Sequence, residues 1–148
     1  MSIAQRFQAF AADFEVCVAD DRWERLENYL AEDATYVNAG TGDAPIVGKA
    51  AIVDYFRRDV SGTDRRFDSR RLEAVTEPKV DGNRLRRRWR CTYTLTGAPD
   101  LVVEGEARYE FQGDLIQSME QRLAPDALQR YVAWMEEYGA LLHDPPGR

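Results

Sequence analysis

The sequence predicts an α+β fold in which a strongly curved antiparallel sheet wraps, cone-like, around N-terminal helices, with an extra helix at the C-terminal end. Three observations carry this. Apolar residues recur at three- and four-residue steps through the first third of the chain, and between residues 67 and 123 the period shortens to two. Asp81-Gly82-Asn83, Gly97-Ala98-Pro99 and Gly113-Asp114 punctuate that second stretch at hairpin spacing.

Phe7, Phe10, Ala11, Phe14, Cys17 and Val18 share one helical stripe, which predicts a helix over residues 3–19. Asp20 and Asp21 offer N-cap chemistry to a second, short helix in which Trp23, Leu26, Tyr29 and Leu30 share a face and which ends near Ala31. A rise in β-branched and aromatic content from Ala34 to Asn38 predicts a short strand, broken by Gly40, Gly42 and Pro45. A third helix follows from Lys49 to about Asp59, with Ile52, Tyr55, Phe56 and Val60 facing inward. Strands are then predicted over 67–76, 84–96, 101–112 and 115–123. Pro125-Asp126 opens the last helix, which runs to about Leu142 with a stripe of Leu128, Tyr131, Val132, Met135 and Tyr138.

Leu85, Arg87, Trp89, Cys91, Tyr93 and Leu95 alternate with Arg84, Arg86, Arg88, Arg90, Thr92 and Thr94, so one face is largely apolar and the other polar. The next strand alternates likewise. With Leu95 opposite Leu101, Trp89 would face Ala107, Cys91 would face Gly105, and Arg90 and Arg86 would meet Glu106 and Glu110, leaving Arg88 opposite Arg108. Large would meet small inside and opposite charges would meet outside, which makes the arginine run a solvated ladder rather than a nucleic-acid patch.

At 148 residues, 44% hydrophobic and 31% charged, one domain is expected over residues 1–148, with a core at 4–124, the last helix at 126–142 and a tail at 143–148. No apolar run suits a membrane span, and Arg6 precedes any sustained apolar stretch, so no secretory signal is expected and the chain reads as cytoplasmic. A net charge of -6 weighs against nucleic acid as a partner. Cys17 and Cys91 have neither the number nor the spacing of a disulfide framework or zinc site and read as buried thiols.

The order of helix, helix, strand, helix and meander carries local marks: Tyr29-Leu30-Ala31-Glu32-Asp33-Ala34-Thr35, Gly48-Lys49-Ala50-Ala51-Ile52, and Phe111-Gln112-Gly113-Asp114-Leu115-Ile116. Together these resemble the nuclear-transport-factor-2-like superfamily, which includes SnoaL-like polyketide cyclases, ketosteroid isomerase and limonene epoxide hydrolase. The resemblance spans roughly residues 4–124. It implies a cystatin-like α+β barrel whose cone holds a mostly apolar pocket, and a homodimer through the outer sheet face. By the alternation above, the implied lining is Phe14, Tyr36, Asn38, Phe56, Arg87, Trp89, Cys91, Tyr93, Val103, Gly105, Ala107, Tyr109, Met119 and Gln121.

The reactions of the resembled proteins fit unevenly. Ketosteroid isomerase chemistry needs a carboxylate base and two oxyanion donors, and the matching positions here are Asn38, Phe14 and Ala107; an amide accepts no proton at neutral pH. Limonene epoxide hydrolase is similar at Tyr36-Val37-Asn38, but its Arg and two Asp have only Arg87 or Arg88, Trp89 or Arg90, and Gln121 beside Glu120 as counterparts, so an inward Glu120 would require a one-residue slip. His143 is the lone histidine and lies in the tail. No ligand cluster for a metal and no phosphate loop occurs, and no cofactor is expected.

The remaining candidate catalytic or orienting groups are Tyr36, Asn38, Arg87 and Gln121, with Tyr93 nearby. Tyr and Asn can donate to a ligand carbonyl or hydroxyl. An inward Arg87 could bind a carboxylate or enolate oxygen, and otherwise it reaches the rim or pairs with a carboxylate. Cys91 reads as packing, since no histidine can activate it. The expected function is a pocket for a small, apolar, oxygen-bearing molecule that the protein rearranges, cyclises or hydrates; a non-catalytic dimeric module and an epoxide hydrolase-like enzyme are the alternatives.

Overall fold

The computed structural model describes residues 1–146; Gly147 and Arg148, the end of the expected tail, lie outside the described residues. Helix α1 (Ile3–Asp20) starts at a capping box, in which the Ser2 hydroxyl accepts from the Gln5 N–H and the Gln5 side chain accepts from the Ser2 N–H, and it buries Phe7, Phe10 and Cys17. It stops at Asp21, which takes the left-handed conformation (φ 62°) that Asp tolerates better than most residues. Asp20 and Asp21 therefore close α1 instead of capping a second helix. The following Trp23–Tyr29 segment is 3-10 with no side-chain cap, and it is fixed by Trp23 Nε1 donating to Asp21 Oδ1 at 2.8 Å.

Strand β1 (Leu30–Asn38) begins earlier than the sequence predicts, because Leu30, Ala31 and Ala34 are buried and Leu30 already pairs with Ile116 of the last strand, ahead of a register irregularity that ends at Thr35. Then come β2 (Ile46–Val47), α2 (Lys49–Gly62), a 3-10 turn (Asp64–Arg66), β3 (Ser69–Ala74), β4 (Lys79–Asp81), β5 (Arg84–Thr94), β6 (Leu101–Gln112), β7 (Leu115–Leu123), α3 (Ala127–Tyr138) and a 3-10 turn (Gly139–Leu141). The predicted 67–76 strand ends at Ala74, and Pro78, which cannot donate to a ladder, separates it from β4. The Asp81-Gly82 turn consequently joins β4 to β5.

The sheet order is β2-β1-β7-β6-β5-β3, with β4 also on β5. Neighbours are antiparallel except β1 and β7, which run parallel because the whole meander separates them in sequence; Tyr36 lies beside Met119 and Asn38 beside Gln121. In the β5–β6 hairpin the register is two residues from expectation: Tyr93 pairs with Leu101, Cys91 with Val103, Trp89 with Gly105 and Arg87 with Ala107. A β-carbon at Gly105 would sit 2.5 Å from Trp89 Cζ2 and 2.8 Å from the Arg122 carbonyl oxygen, so only glycine accepts the indole there. A shift by two keeps every side chain on its predicted face. Outside, Arg88 meets Glu106 and Arg90 meets Glu104, while Arg86, not Arg88, is the residue opposite Arg108. Arg90–Glu104 (3.3 Å) and Arg108–Glu106 (3.0 Å) are exposed pairs of the kind worth about 0–1 kcal/mol each.

Two apolar clusters result. One joins α1, β1 and α2 through Phe7, Phe10, Leu26, Ile52, Phe56 and Phe111; the other surrounds Phe67, Tyr93, Leu101 and Trp134. The stripe predicted for α3 is met in part: Tyr131, Met135 and Tyr138 pack against the second cluster, whereas Leu128 and Val132 are exposed and Ala127 and Trp134, outside the stripe, are buried. Trp134 wins this face because its ring packs 5.3 Å from Phe67 and its N–H donates to the Pro99 carbonyl at 2.9 Å. Among the described residues, no helix is long and apolar enough to cross a membrane.

Gly105→Ala is expected to cost about 1–3 kcal/mol by overpacking, measured by urea denaturation, and Trp89→Phe in the same chain should recover part of the loss.

Candidate functional site

Between the concave face of the sheet and helices α1 and α2 lies a cavity of about 370 Å³, within the ~300–1,000 Å³ range of small-molecule pockets. Phe14 comes from α1, Phe56 from α2 and Tyr36 and Asn38 from β1. Arg87, Trp89, Cys91 and Tyr93 come from alternate positions of β5, Val103 and Tyr109 from β6, and Met119 and Gln121 from β7. Period-two alternation on a curved sheet is what aims these side chains at one space. Ala107 and Gly105 are not on the wall: Ala107 is buried opposite Arg87, and Gly105 is covered by the Trp89 indole.

The inward polar groups largely satisfy one another. Asn38 Nδ2 donates to the Tyr55 hydroxyl at 3.2 Å, and the Tyr36 hydroxyl adjoins the same oxygen. Burial pushes the phenols of Tyr36 and Tyr55 up, so both remain neutral donors. Trp89 Nε1 donates to Gln121 Oε1 at 3.1 Å, and the buried Tyr109 hydroxyl lies beside Gln121. Arg87 differs. Its guanidinium turns inward, 5.0 Å from the centroid of Phe7, and its Nε is buried with no hydrogen-bond partner among the described residues. The carboxylate partner considered from sequence is absent among the described residues.

Another part of the wall carries charges that the sequence reading missed. Arg70 Nε meets Asp64 Oδ2 and Arg70 Nη1 meets Glu15 Oε1, each at 2.5 Å, with Arg70 10% and Asp64 9% exposed at the side chain. Burial raises the Asp64 carboxyl, against the pull of Arg70, and the Tyr93 hydroxyl donates to it at 3.4 Å. Asp59 also lines the cavity, with no ion pair or hydrogen bond at its side chain among the described residues. Its side chain is exposed where it borders the cavity, and the partial desolvation there, aided by the charge of Asp64, raises its carboxyl to about 6. Asp59 lies four residues after Tyr55, a spacing that could have placed it on the inner face of α2. Asp64, in an irregular turn, carried no such signal.

Cys91 is pushed up to about 11 by burial, so it stays a thiol and packs. His143 is on the surface, paired with Asp68 at 2.6 Å, and is not on the cavity wall. Glu120 lies opposite Arg108 and within 3.8 Å of Arg122, on the outer face. Among the described residues, no three His, Cys, Asp or Glu side chains are grouped to hold a metal ion.

The SnoaL-like domain family matches this sequence over residues 8–119. The chain belongs to that family. No curated protein matches it in sequence. Solved structures agree in fold with this SnoaL-like chain at low identity. An LEH-like epoxide hydrolase of M. tuberculosis superposes with TM-score 0.65 and 13% identity over 93% of this chain and 95% of that one. An NTF2-like protein of Anabaena variabilis gives 0.67 and 18%, over 86% and 94%. A Catenulispora acidiphila protein with a ketosteroid isomerase-like fold, in complex with trimethylamine, gives 0.59 and 18%, over 80% and 87%.

Two predictions follow from the charges of the SnoaL-like cavity. Because the folded state raises the Asp59 carboxyl to about 6 from an ordinary 3.8, native protein binds this proton before unfolded chain does. Stability should therefore fall as pH rises from about 4 through 6. Melting curves of wild type and Asp59→Asn across that window should diverge, the variant lacking this component of the decline. Arg70→Met leaves Asp64 and Glu15 without their cation and should cost about 3–5 kcal/mol in chemical denaturation, the penalty of breaking a buried pair.

Proposed function

We propose that this SnoaL-like chain binds a small, largely apolar, oxygen-bearing molecule in the cone cavity and rearranges, cyclises or hydrates it through oriented hydrogen bonds and one proton transfer. The supporting observation is the pairing on α2: Tyr55, hydrogen bonded to Asn38, and Asp59 stand one helical turn apart, beside the apolar Phe56 and Val60. A ligand carbonyl or hydroxyl would accept from the neutral phenol of Tyr36 or Tyr55, which polarises the adjacent carbon. Asp59, with its carboxyl near 6, is matched to take a proton from that carbon near neutral pH and to return it elsewhere on the ligand. Position 38 holds an amide where ketosteroid isomerase chemistry wants a base, but a carboxyl reaches the cavity from a different element. The family resemblance and the structural neighbours support the class of function, not these residues.

Mass spectrometry of small molecules that co-purify with the protein should find an apolar compound bearing at least one oxygen. Asn38→Leu and Tyr36→Phe should each weaken its binding by about tenfold, the value of one net hydrogen bond near 1–1.5 kcal/mol. Unchanged affinity in both variants would remove this site from consideration.

A second reading is favoured by Arg70 lying between Asp64 and Glu15. An arginine between two acids is the arrangement epoxide hydration calls for, supplied here from α1, β3 and a turn in place of the positions read from sequence. Hydrolysis of styrene oxide in ¹⁸O-water, with label appearing in the diol and lost in Asp64→Asn, would support it. Homodimerisation through the outer sheet face belongs to the same proposal; the Arg and Glu pairs there make such a dimer salt-sensitive, as mass measurements at low and high salt would read.

A further inference from the structure

Every other inward polar group discussed above that faces the β-sheet wall has a partner: Gln121 holds Trp89, Asn38 holds Tyr55, and Asp64 holds Arg70. On that sheet wall Arg87 is the one left over among the described residues. Its cross-strand neighbour is Ala107, it forms no ion pair among the described residues, and its Nε is buried and unpartnered. The Phe7 ring beneath it, 5.0 Å away, is its one attractive contact of note and satisfies no N–H. A half-buried guanidinium with an unmet Nε–H suits an oxyanion, and its planar fork fits a carboxylate with two parallel hydrogen bonds.

The acidic groups of the cavity do not answer this need. Glu15 and Asp64 are both engaged by Arg70, and Asp59 stands near Asp64 and Tyr131, whereas Arg87 lies against Phe7 and near Tyr109. The cavity thus has a cationic spot with no internal counter-charge and, away from it, apolar walls at Phe14, Phe56, Val103 and Met119. Taking the small-molecule pocket proposed above as given, we infer that its ligand is an organic anion: a carboxylate seated on Arg87, with an apolar body lying along those walls. The hydroxyl of Tyr109 and the amide of Gln121 border the carboxylate site and set its orientation.

Calorimetric titration with naphthoate and with its uncharged isostere naphthamide separates the two readings. Wild type should bind naphthoate about tenfold or more tighter than naphthamide. Arg87→Met should abolish that preference while keeping the naphthamide affinity, and Arg87→Lys should retain part of it. Ligand-free Arg87→Met should melt no lower than wild type, since it removes an unpaired charge; a purely structural arginine would show the opposite. Equal binding of the two probes to wild type, or a preference that survives in Arg87→Met, overturns the anion inference and leaves the pocket standing. Binding of neither probe at millimolar concentration overturns both. If Arg87→Met does not fold, Arg87→Gln takes its place in the comparison, with the same outcomes.

Discussion

The contact between the Trp89 indole and the bare backbone of Gly105 sets the register of the two longest strands. With that register, Arg87, Trp89, Cys91 and Tyr93 all point into the concave side, and Glu104, Glu106 and Glu110 fall opposite arginines on the convex side. The indole also carries its N–H to Gln121 on the next strand but one, so a single side chain ties β5 to β7 across β6. A side chain larger than hydrogen at position 105 would lift the indole, break that hydrogen bond and close part of the space the cavity occupies. The hollow is therefore maintained by a packed feature beside it, as expected where interiors are otherwise filled to crystal-like density.

The same economy explains why so few polar groups on the inner wall are free to meet a ligand. A hydroxyl or amide buried without a partner costs about 1–3 kcal/mol, and here phenols, amides and the Arg70 cluster meet that cost in pairs. Two groups escape the pairing in different ways. Asp59 responds by holding its proton more tightly, and Arg87 is left with a buried Nε that has no partner among the described residues. A pocket that leaves one carboxyl and one guanidinium uncompensated is asymmetric along its wall.

How much of this was legible in the sequence differs from element to element. The alternation along β5 and β6 identifies the inward residues because a strand has only two faces and a register error of two leaves them unchanged. The contribution of β1 could be read from its family resemblance, and the curl of the sheet turned that list into a cavity wall. What escaped were residues whose orientation comes from irregular backbone or from tertiary rotation. Asp64 sits in a 3-10 turn with no period, and α3 presents Trp134 instead of its stronger-looking Leu128 and Val132 stripe because Phe67 and the Pro99 carbonyl lie on that side. Glu15 and Arg70 form a pair 55 residues apart in sequence, which no local pattern announces.

Asp59 and Arg87 also bear on the difference between a binding module and an enzyme of this fold. A module selected only for stability would be free to replace Arg87 by an apolar residue and Asp59 by an amide, and both changes would relieve the ligand-free state. Their presence beside polar groups that pair with one another is a local cost at the cavity. On the outer sheet, by contrast, Arg84, Arg86 and Arg90 each lie within 3.8 Å of a glutamate carboxylate. Local cost confined to a hollow, in a protein whose hollow is held open by Trp89 and Gly105, is the pattern expected where a ligand supplies the missing half of the interactions.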